Sequence, residues 1–385
     1  MAPTTDLAAP RNIVVCCDGT ANEIATHPTN VYKLFRALEK GSPGQLCCYH
    51  AGVGTMAAPG YVTRAGAWAA RMAGLGFGYG LTDDLRDLYC FVMDRWRPGD
   101  RLFLFGFSRG AWTVRALGAM LHMHGLVPAG NGPLAPYIVR MLWAMHALDV
   151  KHGPDGAAEQ RAEYFAKAAL FKASFSRPCR PHFMGVWDTV SSVGWFTHPV
   201  RLPFTTNNPD IAITRHAVSI DERRAFFRTN LFQPGGKPSG TKQADLREVW
   251  FPGVHCDVGG GYAEAEAGLS KLTLDWMLGE ARTAGLLLDE GAVATLLGQA
   301  GEGYVRPDPD GPMHDELHGA WRLVEPVPRP HYDSVGKRWG WQANHGKPRM
   351  LPRGAVVHDA AWARGGDYAA RLPPGMVRLS QAGWS

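Results

Sequence analysis

The five residues Gly106-Phe107-Ser108-Arg109-Gly110 constrain this chain more than any other stretch, because of what stands on either side of them. The apolar run Leu102-Phe103-Leu104-Phe105 leads straight in, and 111–124 leaves with the composition of a helix. A serine on so tight a strand-to-helix turn sits at strained dihedrals, and glycines two before and two after it let strand and helix pass without collision. Its hydroxyl then projects from the carboxyl end of the sheet, where open α/β sheets bind ligands. The N-terminus of the following helix presents unpaired N–H groups and a positive dipole end, which suits a developing oxyanion. A bare GxSxG string arises often by chance, and the bland alternative is a turn serine that caps a helix. Set between a strand and a helix, the motif is specific.

The rest of the chain supplies the sheet such a turn needs. Apolar or β-branched runs at 12–17, 45–50, 101–106, 182–187 and 246–251 read as buried strands, the first three ending in Asp18-Gly19, Gly52 and the serine turn. Helical patterns at 30–39, 83–96, 111–124, 156–174 and 270–284 alternate with them; Leu85, Leu88, Val92 and Trp96 share one face of the second. Strands alternating with helices predict an α/β class, a doubly wound and mostly parallel sheet with helices on both faces. This is the α/β-hydrolase fold, expected over 11–290. Residues 52–80, rich in Gly, Ala and aromatics, read as an apolar lid or substrate loop. The Pro- and Arg-rich stretch 291–385 reads as an extension packed on the same core.

A serine hydroxyl is a weak nucleophile until a histidine takes its proton and a carboxylate holds that histidine. In this fold the partners follow the serine in the order acid, then histidine. The acid candidate is Asp188, which ends the 182–187 strand; Asp221 and Glu222 are rivals, although Ser219-Ile220-Asp221-Glu222 resembles the charged start of a helix. The base candidate is His255, which follows the 246–251 strand and precedes Gly259-Gly260-Gly261, a backbone able to approach a substrate closely. His331 and His358 keep the same chain order. Oxyanion donors are expected from the backbone of Arg109, after the nucleophile, and of Gly19 or Thr20, after the first strand. Asp18 would stand in a haloacid-dehalogenase-like pattern only if Cys16 were an aspartate. Asp257 has two open roles, orienting a histidine or capping its turn.

Composition narrows the functional classes. Charged residues are 19% and apolar residues 45% of 385, as in a folded enzyme. The net charge of +5 is spread without a dense Lys/Arg run, so a nucleic-acid partner is not expected and at most a mild preference for anionic surfaces is. The seven cysteines contain no CxxC pair, and the adjacent ones fall in apolar runs, so they read as buried small hydrophobes, with no metal site and no cofactor expected. The first ten residues lack the pattern of a cleaved signal, and no run of about 18 apolar residues reads as a membrane span. The expected location is cytoplasmic, with signal-independent export open.

With these pieces in place the chain resembles the α/β-hydrolase domain family related to type VI secretion phospholipase effectors, the Tle-like catalytic domain. The resembling segments are Cys17-Asp18-Gly19-Thr20 with Asn22, Gly52-Val53-Gly54-Thr55, Phe105 to Ala111, Gly185-Val186-Trp187-Asp188-Thr189-Val190, His216-Ala217 with Asp221-Glu222-Arg223, and Trp250 to Tyr262. The resemblance implies a Ser–Asp–His hydrolase at Ser108, Asp188 and His255. It implies an ester or phospholipid substrate, peripheral membrane contact, and a secretion or immunity partner. Cys256 stands where a serine is expected, and Ser191-Ser192 where a glycine is expected sooner. A soluble carboxylesterase or thioesterase, and a non-catalytic interaction module on the same fold, are the competing functions.

Overall fold

A computed structural model describes residues 9–19, 27–52, 80–152, 157–190, 194–195, 198–200, 202–232, 245–333 and 338–383. Thr20, Asn22 and all but the ends of the 52–80 lid or substrate loop lie outside the described residues.

One sheet organises the molecule. Its strands are β1 (Asn12–Cys17), β2 (Gln45–His50), β3 (Arg101–Phe107), β4 (Pro181–Trp187), β5 (Ile213–Ser219), β6 (Asp245–Phe251), β7 (Val356–Val357) and β8 (Val377–Arg378). They lie in the order β2-β1-β3-β4-β5-β6-β7-β8, and every adjacent pair is parallel. The order reverses between β1 and β3, so the carboxyl ends of these two strands form the switch-point crevice.

Alternation along the strands sorts the core into two layers. Ile13, Val15, Leu102 and Leu104 face helices α2 (Leu81–Arg95), α3 (Arg109–His124), α4 (Ala135–His152) and α5 (Ala158–Phe175). Val14, Phe103, Phe105 and Phe183 face α1 (Asn30–Ala37) and α7 (Gly268–Thr283), with one turn of helix, α6 (His255–Gly259), between β6 and α7. Burial of both faces is what permits uninterrupted apolar strands. A third cluster, Val218, Ile220, Trp250, Val357, Ala361 and Tyr368, joins the stretch after 290 to β5 and β6.

Some expectations need correction. Ser219-Ile220-Asp221-Glu222 starts no helix: Ser219 ends β5, and Asp221 turns back to accept from Gly253 N–H (2.7 Å) and Tyr368 O–H (2.6 Å). β5 itself escapes the apolar pattern because Arg215 and His216 lie inside it. Both are buried against partners far along the chain, Arg215 with Asp245 and Glu280 and His216 with Glu248. β6 is the last long strand before the two-residue β7 and β8. Helix α4 is a further element that the strand-and-helix pattern did not mark.

Candidate active site

The turn after β3 has the geometry its glycines require. Ser108 sits at φ 57°, ψ −118°, with α3 starting at the next residue, and its N–H donates to Trp187 O (3.1 Å) of the neighbouring strand. A Cβ at Gly106 would stand 2.5 Å from Gly110 O, and one at Gly110 would stand 2.1 Å from Cys17 O. Both lie inside the van der Waals limit against backbone, so no side chain fits at either position.

Ser108, His255 and Asp188 form one line of hydrogen bonds. His255 Nε2 lies 2.8 Å from Ser108 Oγ, and Nδ1 lies 2.6 Å from Asp188 Oδ2. The three residues come from the ends of β3, β6 and β4, and they are 9%, 2% and 0% exposed. Phe107 and Phe227 flank the imidazole, with ring centres 4.6 and 4.8 Å away. Asp188 has a positive φ of 37°, which a non-glycine residue adopts only under constraint. Its N–H donates to Ala217 O (2.7 Å), and its Oδ1 accepts from Ser219 N–H (2.9 Å).

One partner of this carboxylate was not visible in the chain pattern. Arg349 donates to both oxygens of Asp188, at 2.5 Å and 3.0 Å. Burial alone would raise the Asp188 carboxyl, but the charge of Arg349 and the hydrogen bond from His255 outweigh it and hold the group well below the usual carboxylate range. Arg349 lies in the Pro- and Arg-rich stretch, with no periodicity or motif around it to mark it.

The other candidates have definite places. Asp221 and Glu222 are not at the imidazole ring: Glu222 pairs with Arg224 (2.8 Å), and the bond it receives from His255 comes from the backbone N–H (3.3 Å). His358 stacks on Phe251 at 4.6 Å, its Nδ1 accepts from Ala360 N–H (3.2 Å), and burial lowers its pKa to about 4. Asp257 accepts from Val254 N–H (3.0 Å) and His314 Nδ1 (2.7 Å), which makes it a brace for the turn that carries His255. Asp18 accepts from Thr29 Oγ1 (2.5 Å) and Tyr49 O–H (2.7 Å), tying the end of β1 to α1 and β2.

Gly19 N–H donates to Asp18 Oδ1 (2.6 Å), so in this arrangement its hydrogen is already engaged by a carboxylate. Arg109 is the first residue of α3. Its guanidinium is buried; desolvation lowers its pKa to about 10, partly offset by the charge of Asp84. Gly259 and Gly260, after His255, approach the protein's own core. A Cβ at Gly259 would stand 1.9 Å from the Phe107 ring, and one at Gly260 2.8 Å from Asn30 N. Among the described residues, no group of three or more His, Cys, Asp or Glu is placed to hold a metal ion, and no helix is long and apolar enough to cross a membrane.

Comparison with known proteins adds a family. The family model described as "T6SS, Phospholipase effector Tle1-like, catalytic domain" matches residues 11–280, well over half of the chain. The uncharacterized protein YEL023C of Saccharomyces cerevisiae is 26% identical over 414 residues, covering 76% of this chain and 60% of the yeast protein. Among solved structures, an uncharacterized protein from Pseudomonas aeruginosa is 21% identical with a TM-score of 0.42, over 73% of this chain and 46% of that one. The Tle1 effector bound to the VgrG spike of the type VI secretion system is 17% identical with a TM-score of 0.31, over 68% and 53%. The chain thus spans 60% of the length of the curated relative it matches and about half of each of these two structures.

Proposed function

The chain belongs to the family of Tle1-like phospholipase effector catalytic domains of type VI secretion systems, and from that premise we propose that it hydrolyses lipid carboxylic esters through an acyl-serine at Ser108. The observation that carries the reading is the continuous relay from Ser108 Oγ through His255 to Asp188, at 2.8 and 2.6 Å, on a strained strand-to-helix turn. Such spacing is within the reach a general base needs. Family membership supports a phospholipid as the substrate and an export or immunity partner as the protein partner.

In this reading Ser108 Oγ attacks the ester carbonyl carbon while His255 Nε2 takes its proton. Asp188 accepts from Nδ1–H throughout, fixing the tautomer and balancing the imidazolium. The carbonyl oxygen, negative in the tetrahedral intermediate, turns towards the N-terminus of α3, where Arg109 N–H is the first donor. Collapse breaks the bond to the leaving alcohol, which departs with the proton from His255. A water then gives its proton to His255 and attacks the acyl carbon, releasing the fatty acid and returning the proton to Ser108.

The test compares wild type and Ser108→Ala on phospholipid vesicles and on a water-soluble short-chain ester, with mass spectrometry of the products. Expected are fatty acid and lysolipid from vesicles, and a loss of about 10⁴-fold or more in the alanine variant, because the members of such a relay act as a unit. Turnover of the soluble ester without any lysolipid would replace the lipid substrate with a soluble one. An alanine variant retaining a tenth of the activity would remove Ser108 from the chemistry.

A further inference from the structure

We propose that Arg349 is a positioning residue for this hydrolysis, a fork from the segment beyond the family-matched 11–280 that fixes the Asp188 carboxylate in the plane that receives His255. The inference rests on the Ser108–His255–Asp188 reading above and extends it to a fourth side chain.

The geometry leaves Arg349 little freedom. Its two terminal nitrogens hold the two oxygens of Asp188 separately, a bidentate fork with fixed planarity. The same fork also donates to Ser219 Oγ (2.7 Å), Ser219 O (3.2 Å) and Phe227 O. Its side chain is only 6% exposed, so these bonds are formed away from competing water. Arg349 therefore ties the acid of the relay to the end of β5 and to the Phe227 segment that flanks the imidazole.

The stretch carrying it is braced against that same segment. Glu325 accepts from Ala225 N–H (2.7 Å), Asn344 Nδ2 (2.8 Å) and Gly346 N–H (2.8 Å), while Asn344 Nδ2 also donates to Arg223 O (2.6 Å). Asp315 pairs with Arg223 (2.9 Å), and Glu316 lies 3.4 Å from Arg224. The stretch beyond 290 is thus part of the wall of the site, and Arg349 is where it touches the relay.

Two consequences of the positive charge oppose each other. Arg349 keeps a fully buried carboxylate ionised, and it also withholds some of that negative charge from the imidazolium formed when His255 takes a proton. Position decides between them. A carboxylate free to rotate loses the Oδ2···Nδ1 alignment, and misplacement of an orienting group is costly even over small distances. The other charged or titratable groups near Asp188 are His255 itself, Glu222 with its partner Arg224, and His216, which accepts from Thr189 N–H (3.2 Å) while Glu248 holds its other nitrogen. Among the described residues, His255 and Arg349 are the side chains that bond the Asp188 carboxylate.

The test uses the full chain with Arg349→Ala, Arg349→Gln and Arg349→Lys. It measures kcat and KM on a soluble ester against pH, and the rate of Ser108 labelling by a fluorophosphonate. Loss of a group that orients a working side chain costs about 10- to 100-fold, so kcat of the Ala and Gln variants should fall by that much with KM within about twofold. Removing the cation lets burial raise the Asp188 carboxyl, whose ionised form the relay needs, so the acid limb of kcat should move upward. Lysine keeps the charge without the fork, so its acid limb should stay with wild type while kcat falls by less than in the Ala variant.

An acid limb unmoved in the Gln variant, or kcat within about twofold of wild type in all folded variants, overturns the proposal. Thermal unfolding identifies any variant that does not fold; if Ala and Gln both fail, Arg349→Lys decides, and wild-type kcat there overturns it. Wild-type chain that is never labelled at Ser108 defeats the relay reading itself, a result distinct from either of these.

Discussion

His255 is held by three elements at once: Asp188 from β4, Ser108 from the β3–α3 turn, and the Phe107 and Phe227 rings on either side. His358 has no comparable line of partners; it stacks on Phe251 and accepts from a backbone N–H two residues away. These environments separate the two histidines experimentally. His255→Ala should lower kcat nearly as far as Ser108→Ala and slow fluorophosphonate labelling, and the double variant should be little worse than either single one. His358→Ala should lower thermal stability through lost packing and leave the labelling rate near wild type. Slow labelling confined to the His358 variant would transfer the base to the tail.

At the scale of elements, the turn works only because α3 can leave β3 directly beside the end of β1. Gly110 is pressed on Cys17 O and Asp18 O, backbone atoms at the end of a strand paired on both sides, so neither can yield cheaply. Gly110→Ala must displace α3 or the end of β1. Overpacking of this kind costs about 1–3 kcal/mol, and the displacement also shifts Ser108 from His255. The expected result is a lower urea midpoint together with slower labelling of Ser108. Wild-type labelling with lowered stability alone would mean that the turn absorbs the methyl group without moving its serine.

The whole molecule carries a pH dependence with a definite sign. Burial lowers the pKa values of His124 and His358 to about 4 in the folded chain, against about 6.5 in an unfolded one. Because the folded values are lowered, the unfolded state takes up protons first as the pH falls. Stability is therefore complete above about pH 6.5 and declines between about 6.5 and 4. Asp188 acts in a separate window: its depressed carboxyl adds stability above the ordinary carboxylate range, lost only under more acid conditions. Urea unfolding at pH 7 and pH 5 should show the loss in wild type, and a smaller loss in a variant with both histidines replaced by phenylalanine. Equal losses in the two proteins would assign acid sensitivity to other groups.

The chain alone carried the local features, because each is encoded over a few neighbouring residues. β1 and β2 were legible to their end residues as apolar runs closed by turn chemistry, and the serine turn was legible from glycines whose spacing answers a backbone collision. Asp188 and His255 were nameable as candidates because each follows a readable strand. The chain ranked Asp188 and His255 ahead of their rivals but did not bring them together: they are 67 residues apart, and only the order of β4, β5 and β6 in the sheet brings them to 2.6 Å. β5 stayed hidden because its buried Arg215 and His216 are bonded by partners contributed from elsewhere. Arg349 stayed hidden for the same reason at greater range. It is 161 residues from Asp188, in a stretch without periodicity, and its role exists only where the folded chain buries a carboxylate that needs a cation.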